Sequence, residues 1–290
     1  MRIALAALLV LTLAYAAVLA YVYSIQDALV FYPLAEHTAQ PADFGLRATR
    51  YRVPTADGET LDAWYFAPPQ NANRAAALRN GPADFVLLYS HGNAGNISHN
   101  LDSVRQFQGL GLGVYLYEYR GYGASTGQPT EAGLYRDADA AYKFLRERLG
   151  ISEQRIIIFG RSLGGAVAAQ LATRVPARAL IIESTFTSAV NVAASVYWYL
   201  PVGLLARNRF ESLERLRERD LQDWQGRPLP LLVIHSREDR LIPFAHGQRL
   251  FDAARTARKT LLEIRGGHND GFLSDRRRYE TGVVEFINNI

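Results

Sequence analysis

One stretch, from Arg155 to Gly165, constrains the fold more than any other part of the chain. The apolar residues Ile156–Phe159 predict a buried strand, and the small residues Ala166–Leu171 predict a helix. Between them, Gly160-Arg-Ser-Leu-Gly164 places glycines two residues before and two residues after Ser162. A serine on so sharp a turn has a strained backbone, and the strand and helix can close only where these flanking side chains are missing. The stretch predicts a nucleophile elbow with Ser162 exposed at a helix N-terminus; a plain loop with chance glycines is the alternative.

Strands and helices alternate along the rest of the chain. We expect strands at Thr49–Val53 and Thr60–Phe66 (a hairpin), Phe85–Ser90, Gly113–Tyr119, Ala179–Glu183, Leu229–Ile234 and Thr260–Ile264. We expect helices near Leu101–Leu110, Glu131–Leu149, Phe244–Ala257 and Arg276–Ile290. Residues 68–82, rich in Asn, Ala and Gly, predict a surface loop. The alternation predicts an α/β fold with a mainly parallel central sheet and helices on both faces.

The residues Ile3–Tyr23 are almost all apolar, and no charge lies between Arg2 and Asp27. About 20 apolar residues at ~1.5 Å each span a bilayer core, which predicts a transmembrane helix. The alternative is a signal peptide cleaved at Ala14-Tyr-Ala16, but that cleavage would leave Ala17–Tyr23 as an exposed apolar tail. By the positive-inside tendency, Arg2 predicts a single-pass protein with a cytoplasmic N-terminus. The remainder then lies on the outer side, which is periplasmic, extracellular or lumenal.

Composition excludes several classes of function. The net charge of +4 comes from arginine, since Lys143 and Lys259 are the only lysines among 290 residues. The basic residues form no stripe interleaved with aromatics, so we expect no nucleic-acid partner. The absence of cysteine excludes disulfides, thiolate metal sites and a cysteine nucleophile. We expect neither a metal nor a cofactor, and composition leaves the oligomeric state open.

A serine hydroxyl becomes a nucleophile when a base takes its proton, and a histidine held by a carboxylate is the usual base. In a parallel sheet the carboxyl ends of the strands meet at one edge, where active sites gather. His268 follows the last predicted strand behind two glycines, and Asp239 follows the strand before it. Asp239 is preferred to Glu238, and Asp270 is too close to His268 in sequence to reach behind its ring. The candidate catalytic residues are therefore Ser162, Asp239 and His268, in the chain order expected of an α/β-hydrolase.

A glycine-rich loop, His91-Gly-Asn-Ala-Gly-Asn96, directly follows the predicted strand Phe85–Ser90. Such a loop points backbone N–H groups toward an anion. The anion expected here is the oxyanion of a tetrahedral intermediate, so the backbone amides of Asn93 and Leu163 are the candidate oxyanion hole. A phosphate site is the weaker alternative, because no lysine follows as a P-loop requires.

Other polar residues near strand ends have a simpler structural explanation. We expect His91 and His235 to hold the shape of their loops through hydrogen bonds. Glu118 and Arg120 stand two residues apart at the end of a predicted strand and predict an ion pair that supports the following loop.

Residues 185–225 form a long connection between two predicted strands. An ordinary crossover helix and a small lid over the substrate explain this connection equally well. The substrate-pocket candidates are Tyr122, Phe186, Tyr197 and Trp198.

Six short motifs together carry a family resemblance. They are Leu29-Val-Phe-Tyr-Pro33, His91-Gly-Asn-Ala-Gly-Asn96, Tyr119-Arg-Gly-Tyr-Gly123, Gly160-Arg-Ser-Leu-Gly-Gly165, Glu183-Ser-Thr-Phe-Thr-Ser188 and Asp239-Arg-Leu-Ile-Pro243. Over about residues 49–290 the chain resembles the α/β-hydrolase superfamily, and more narrowly the membrane-anchored Bem46/ABHD13-like group of serine aminopeptidase S33-type hydrolases. The resemblance implies the same nucleophile, acid, base and Asn93 oxyanion donor. Ser236 departs from the family pattern, which usually reads His-Gly before the acid.

The chain is thus expected to comprise a membrane anchor or signal peptide (residues 1–25), a linker packed on the domain (26–48) and an α/β-hydrolase catalytic domain (49–290). A small lid follows the sixth predicted strand, at about residues 185–225. The expected function is a serine hydrolase that cleaves carboxylic esters or thioesters of lipophilic acyl substrates. An S33-type peptidase and a non-catalytic scaffold are the alternatives. An aminopeptidase needs a carboxylate for the substrate amine, and Glu183 is the obvious candidate near a strand end.

Overall fold

An eight-stranded sheet forms the centre of the protein in a computed structural model that describes residues 1–69 and 85–290. In chain order the strands are β1 (Tyr32–Pro33), β2 (Thr49–Pro54), β3 (Thr60–Phe66), β4 (Val86–Ser90), β5 (Ala94–Gly95), β6 (Gly113–Tyr117), β7 (Ile156–Arg161), β8 (Ala179–Glu183), β9 (Leu231–Ser236) and β10 (Lys259–Ile264). The helices are α1 (Arg2–Val30), α2 (Leu101–Gly109), α3 (Glu131–Glu147), α4 (Leu163–Ala172), α5 (Ala189–Val196), α6 (Val202–Leu205), α7 (Ser212–Glu218), α8 (Ala245–Ala253), α9 (Gly271–Ser274) and α10 (Arg276–Asn288). The predicted surface loop at residues 68–82 lies, from residue 70 onward, outside the described residues.

The strand order in the sheet is β10-β9-β8-β7-β4-β6-β3-β2. The β2-β3 hairpin and the β3-β6 pair are antiparallel, and the remaining pairs, from β6 to β10, are parallel. Every residue of β4, β6, β7, β8 and β9 is buried. A strand that is covered on both faces has a continuous run of apolar residues, which explains why these strands were predictable from the sequence. The predicted α/β class and the mainly parallel sheet are confirmed.

Helices cover the sheet on both faces, and each face has its own apolar core. Alternate residues of a strand point to opposite faces, so Ile156 and Ile158 of β7 join one core while Ile157 and Phe159 join the other. The first core receives buried side chains from α3, α4, α7 and α8, and the second from α2 and α10. The central strands therefore lie between two layers, which leaves their carboxyl ends open at one edge.

The N-terminal helix α1 has 29 residues, and its most apolar window has a mean hydropathy of 2.6. By length and composition this helix is able to cross a membrane, and a signal sequence near an N-terminus meets the same criteria. The helix runs on to Val30, past the predicted boundary at residue 25, because side chains at its end bond to the domain. Phe31 then enters the core at 3% exposure, and β1 pairs in parallel with β5 in a separate two-stranded sheet.

Three helices occupy the long connection between β8 and β9. α7 packs against α4 and α8, as an ordinary crossover helix does. Every residue of α5 and α6 is at least partly exposed, and side chains of both helices face α1 across a cavity. The Tyr15 hydroxyl of α1 donates a hydrogen bond of 3.0 Å to the Tyr199 carbonyl between them. We name residues 189–206 the lid, after the predicted lid at about residues 185–225 in which they fall; that they cover a substrate stays a prediction.

Candidate active site

Ser162 lies at the turn between β7 and α4, with φ 54° and ψ −120°. A positive φ is strained for a residue that has a side chain. Hydrogen bonds to the end of β8 and to a residue just after it hold the strained turn in this conformation. The Ser162 amide donates to the Glu183 carbonyl at 2.9 Å, and the Ser162 carbonyl accepts from the Thr185 hydroxyl at 2.7 Å. The turn is thus fixed on the side of β8, and the serine side chain is half-buried at its tip.

The two glycines that flank Ser162 let the surrounding elements approach each other closely. A Cβ added to Gly160 would lie 2.0 Å from the Gly164 carbonyl oxygen. A Cβ added to Gly164 would lie 2.0 Å from the Ser90 carbonyl oxygen. Both distances are far below van der Waals contact, so α4 can pack onto β7 and β4 only because both positions are glycine.

Three side chains from distant parts of the chain form a continuous hydrogen-bonded line. His268, on the loop after β10, places its Nε2 3.0 Å from the Ser162 Oγ. Its Nδ1 lies 2.7 Å from Oδ2 of Asp239, on the loop after β9. The His268 side chain is 8% exposed and the Asp239 carboxylate is fully buried. With Nδ1–H donated to the carboxylate, Nε2 of a neutral imidazole is free to accept the serine proton.

The Asp239 carboxylate is held in its ionised form. Burial alone would raise its pKa, but hydrogen bonds from His268 and from the Ile242 amide keep the pKa below its usual value. Oδ1 accepts the backbone amides of Leu241 and Ile242 at 2.9 and 2.8 Å. These bonds fix the direction of the carboxylate, so Oδ2 points at the imidazole.

The carboxylates that compete with Asp239 in the sequence have other partners. Asp270 accepts the Ser274 hydroxyl, and Glu238 accepts the Gly266 amide at 3.1 Å. Ser236, which departs from the family pattern, bonds through its hydroxyl to the Gly266 carbonyl and accepts the Glu238 amide. This serine therefore connects the loop that carries the acid to the loop that carries the histidine.

The glycine-rich loop after β4 begins beside the nucleophile turn. A Cβ added to Gly92 would lie 3.7 Å from the Ser162 Cβ. Asn93 is the next residue, and Leu163 is the first residue of α4, where a backbone N–H has no partner within the helix. The two amides proposed as oxyanion donors therefore lie on segments that flank Ser162.

The side chain of Asn93 braces this loop from both sides. Its Nδ2 donates to the carbonyl of Val30, at the end of α1, at 2.5 Å. Its Oδ1 accepts the Tyr122 hydroxyl at 3.0 Å. Tyr122, a pocket candidate from the sequence, is fully buried and supports Asn93 from behind. The end of the N-terminal helix is thus one hydrogen bond away from a candidate oxyanion donor.

A buried contact between the Glu118 carboxylate and the His91 imidazole supports the same loop. Oε1 of Glu118 lies 2.9 Å from Nε2 of His91, and its Oε2 accepts the Ile97 amide at 2.9 Å. Burial would raise the pKa of Glu118, but its contacts with His37 and His91 lower it below the usual value. His91 thus contacts its own loop and the end of β6 together.

The predicted ion pair between Glu118 and Arg120 is wrong. Arg120 bonds instead to Asp137 of α3, at 2.9 Å, and to Asp57 of the β2-β3 hairpin turn, at 2.8 Å. The chain turns directly after β6, so the two side chains diverge although they stand two residues apart. Glu118 faces the loop at residues 91–97, and Arg120 faces the opposite side.

Behind the nucleophile turn, Glu183, the carboxylate considered above for a substrate amine, is paired with Arg161, which the sequence analysis did not single out. Arg161 and Glu183 form two hydrogen bonds of 2.8 and 3.1 Å, and Tyr279 of α10 donates to the same carboxylate at 2.8 Å. Glu183 is 2% exposed. The signal available was an arginine placed inside an otherwise apolar strand, directly before the serine.

The remaining pocket candidates are distributed between the core and the surface. Phe186 is buried, Tyr197 is 38% exposed and Trp198 is 82% exposed. Tyr197 lines a cavity of about 260 Å³ between α1 and the lid. The structure thus separates Phe186, which lies in the core, from the two lid aromatics, which are exposed.

Two polar residues at the end of α1 bind the end of the lid and the residues directly after it, and both were missed from the sequence. Gln26 is 8% exposed, donates to the Leu205 carbonyl and accepts the Arg207 amide at 2.7 Å. Asp27 accepts from the Asn208 side chain at 2.6 Å. A polar pair at the end of an otherwise apolar helix was the sequence signal for these contacts.

The sheet, the serine turn after β7 and the acid and histidine loops after β9 and β10 define the α/β-hydrolase class. The Pyrococcus furiosus esterase Pf2001 has the same fold, with a TM-score of 0.68 and 17% identity over 90% of this chain and 97% of that one. Residues 81–206 match the family model described as serine aminopeptidase, S33.

Two relatives extend over nearly the whole chain. Protein bem46 of Schizosaccharomyces pombe is 32% identical over 284 residues, which cover 93% of this chain and 88% of that protein. The α/β hydrolase domain-containing protein WAV2 of Arabidopsis thaliana is 32% identical over 285 residues, 92% of this chain and 89% of its own length. The chain belongs to the Bem46-like group of the α/β-hydrolase superfamily, as its motifs predict.

Proposed function

We propose that this protein is a serine hydrolase that cleaves carboxylic esters or thioesters of lipophilic acyl groups through an acyl-enzyme intermediate. The observation that carries the proposal is the line of hydrogen bonds from Ser162 through His268 to Asp239. A hydroxyl, an imidazole and a buried carboxylate in this order are the parts of a nucleophile with its general base.

Acylation begins when the Ser162 Oγ attacks the substrate carbonyl carbon and His268 Nε2 takes the hydroxyl proton. The negative charge that develops on the carbonyl oxygen is received by the backbone amides of Asn93 and Leu163. The N-terminus of α4 adds its positive dipole end at the same place. His268 then gives the proton to the leaving alcohol or thiol, the bond to the leaving group breaks, and the acyl group stays on Ser162.

Deacylation repeats these steps with water. His268 takes a proton from the water, whose oxygen attacks the acyl carbon, and then returns the proton to Ser162 as the carboxylic acid leaves. Ionised Asp239 stabilises the imidazolium that forms in both halves of the reaction and holds the ring in one orientation.

An ester or thioester is favoured over an aminopeptidase substrate by the position of Glu183. The family model that matches residues 81–206 is described as a serine aminopeptidase. Such an enzyme needs a carboxylate that faces the substrate amine, and the carboxylate of Glu183 is already bonded to Arg161 and Tyr279 in the core. Rates on p-nitrophenyl acyl esters should therefore exceed those on aminoacyl-anilides in the same preparation, and dominant anilide cleavage would reverse this assignment.

Labelling with a fluorophosphonate tests the nucleophile. We expect the label on Ser162 of the full-length protein, and a loss of turnover of about 10⁵-fold or more in Ser162→Ala with little change in the free energy of unfolding. An unlabelled Ser162 in folded protein would favour a non-catalytic scaffold. Wild-type rates in Ser162→Ala would remove this serine from the mechanism.

We also propose that α1 is an uncleaved anchor, with the catalytic domain on the outer side of the membrane. Support comes from the contacts that residues 15–31 make with the lid and the core, since cleavage after Ala16 would cut through the helix that makes them. The chain lacks cysteine, so one cysteine at exposed Glu285 is a clean reporter. We expect a membrane-impermeant maleimide to label Glu285→Cys in intact cells, and protection until lysis would contradict this orientation.

A further inference from the structure

The cavity between α1 and the lid has an apolar wall on both sides. On α1 it is lined by Val18, Val22 and Leu29, which lie on one face of the helix because they are four and then seven residues apart, about one and two helical turns. On the lid it is lined by Ala189, Ala193 and Leu200, among others. Its lining on α1 extends from Val18 to Val30, which at ~1.5 Å per residue is about 18 Å. A volume of about 260 Å³ over that length suits one linear chain better than a ring system.

The two amide side chains in this wall, those of Gln26 and Asn208, are already bonded. Gln26 binds the Leu205 carbonyl and the Arg207 amide. Asn208 binds Asp27 through its amide nitrogen and accepts the Glu131 amide through its oxygen. These bonds leave little polar surface for a polar ligand, so the chemistry of the wall favours hydrocarbon.

The inner end of the cavity borders the candidate active site. Val30 lines the cavity, and its carbonyl accepts the Asn93 side chain at 2.5 Å. Asn93 follows Gly92, where an added Cβ would lie 3.7 Å from the Ser162 Cβ. A chain lying in the cavity would thus have its head near the nucleophile.

The outer end of the cavity lies beside the most apolar part of α1. Val18 lines it, and Tyr15 bonds to the lid one helical turn earlier. On the lid, Trp198 is 82% exposed and Tyr199 is 56% exposed. Exposed aromatic residues beside an apolar helix are typical of a membrane interface. Hydrocarbon therefore meets this end of the cavity when α1 is in a bilayer.

We propose that this cavity binds the hydrocarbon chain of the acyl substrate and that the chain enters it from the bilayer alongside α1. The inference rests on the proposed serine hydrolase function and adds the site that binds the acyl chain and determines the preferred chain length. It makes the N-terminal helix one wall of the binding site as well as an anchor.

A chain-length series tests the proposal in the full-length protein, reconstituted in phosphatidylcholine nanodiscs. For p-nitrophenyl esters from acetate to palmitate, we expect kcat/KM to rise with chain length, by at most about fourfold per methylene. Val22→Trp fills the cavity from the α1 side and should flatten this rise. Each protein's own acetate rate is its reference, so a partial loss of folded protein scales all rates equally and leaves the slope unchanged.

Val10→Trp is the matched control, because it is the same substitution on the same helix at a residue that is 64% exposed and outside the cavity wall. It should keep the wild-type slope. Equal slopes in Val22→Trp and wild type would overturn the proposal, while acetate hydrolysis that depends on Ser162 would leave the serine hydrolase function standing.

A second measurement needs no turnover. A long-chain alkyl diazirine ester is irradiated with Ser162→Ala protein, and the cross-linked peptides are identified by mass spectrometry. We expect cross-links on residues 18–30 and 189–206, which are lost in the Val22→Trp double variant and kept with Val10→Trp. Cross-links spread along α1 without preference, as expected from bulk lipid, would overturn the proposal whether or not the protein is a hydrolase.

Discussion

The nucleophile turn and the lid face the same edge of the sheet but are held in different ways. Around Ser162 the backbone is interlocked, since a Cβ at Gly160 or Gly164 would lie 2.0 Å from a backbone oxygen. In the lid, a Cβ at Gly203 would meet nothing within 4 Å, and every residue of α5 and α6 is partly exposed. The comparison teaches that the candidate nucleophile is fixed by the core, while the proposed substrate side depends on contacts with the N-terminal helix.

The largest effect that tests this contrast is expected for Gly164→Ala. The added Cβ would be driven into the Ser90 carbonyl, so α4 must move away from β4. We expect destabilisation of about 4 kcal/mol or more, measured as the free energy of unfolding in urea. Gly203→Ala in α6 is the control, and alanine there should change stability by less than about 1 kcal/mol and in the favourable direction. Similar losses in both variants would erase the distinction between the two regions.

Asp239→Asn is expected to have the next largest effect. The imidazole loses the anion that fixes its orientation and stabilises its charged form, so kcat should fall by about 10⁴-fold. Asp270→Asn, on the histidine loop but bonded to Ser274, should retain nearly full activity. Comparable losses in the two variants would indicate that the acid has been wrongly assigned.

The same substitution has a consequence for stability at low pH. Because the folded-state pKa of Asp239 is below its ordinary value of 3.8, its carboxylate contributes stability that is present above that value. This contribution is lost as the pH falls through the folded-state pKa. Asp239→Asn should therefore show a flatter decline of unfolding free energy below about pH 4, measured by urea titrations from about pH 7 to pH 3.

The smallest of these effects concerns the bond between the glycine-rich loop beside the nucleophile turn and the end of α1, the helix that faces the lid. Asn93→Ala keeps the backbone amide but removes the bonds to Val30 and Tyr122. We expect kcat to fall by about 10- to 100-fold with KM nearly unchanged, because the amide acts on the transition state. Tyr122→Phe leaves the Val30 bond intact and should cost less. If both variants raise KM and leave kcat alone, the loop binds substrate and does not receive the oxyanion.

The sheet and the candidate nucleophile were accessible from sequence because their signals are local. The run Ile156–Phe159 and the glycines around Ser162 carry strand, turn and helix within ten residues. Asp239 and His268 needed one further rule, that the ends of parallel strands meet at one edge. The geometry brings both to Ser162, and their catalytic roles remain the subject of the predictions above.

The contacts that sequence reasoning missed depend on which distant segments meet. Arg120 bonds to Asp57 and Asp137, which lie more than 15 residues away on either side in the sequence. The residues next to Arg120 in the sequence do not indicate either partner. The two-residue strands β1 and β5 are too short to leave a periodic pattern. Gln26 was recognisable as a polar residue in an apolar helix, but its partner in the lid, the Leu205 carbonyl, became clear only from the fold.

The bond between Tyr15 and the lid has a practical consequence for anyone preparing this protein. Shortening the gene to obtain a water-soluble fragment, starting after residue 25, would remove Val18 and Val22 and uncover the apolar underside of α5. Such a fragment would retain the candidate catalytic residues but would expose an apolar surface that favours aggregation. Enzymology therefore calls for the whole chain, prepared in detergent or nanodiscs.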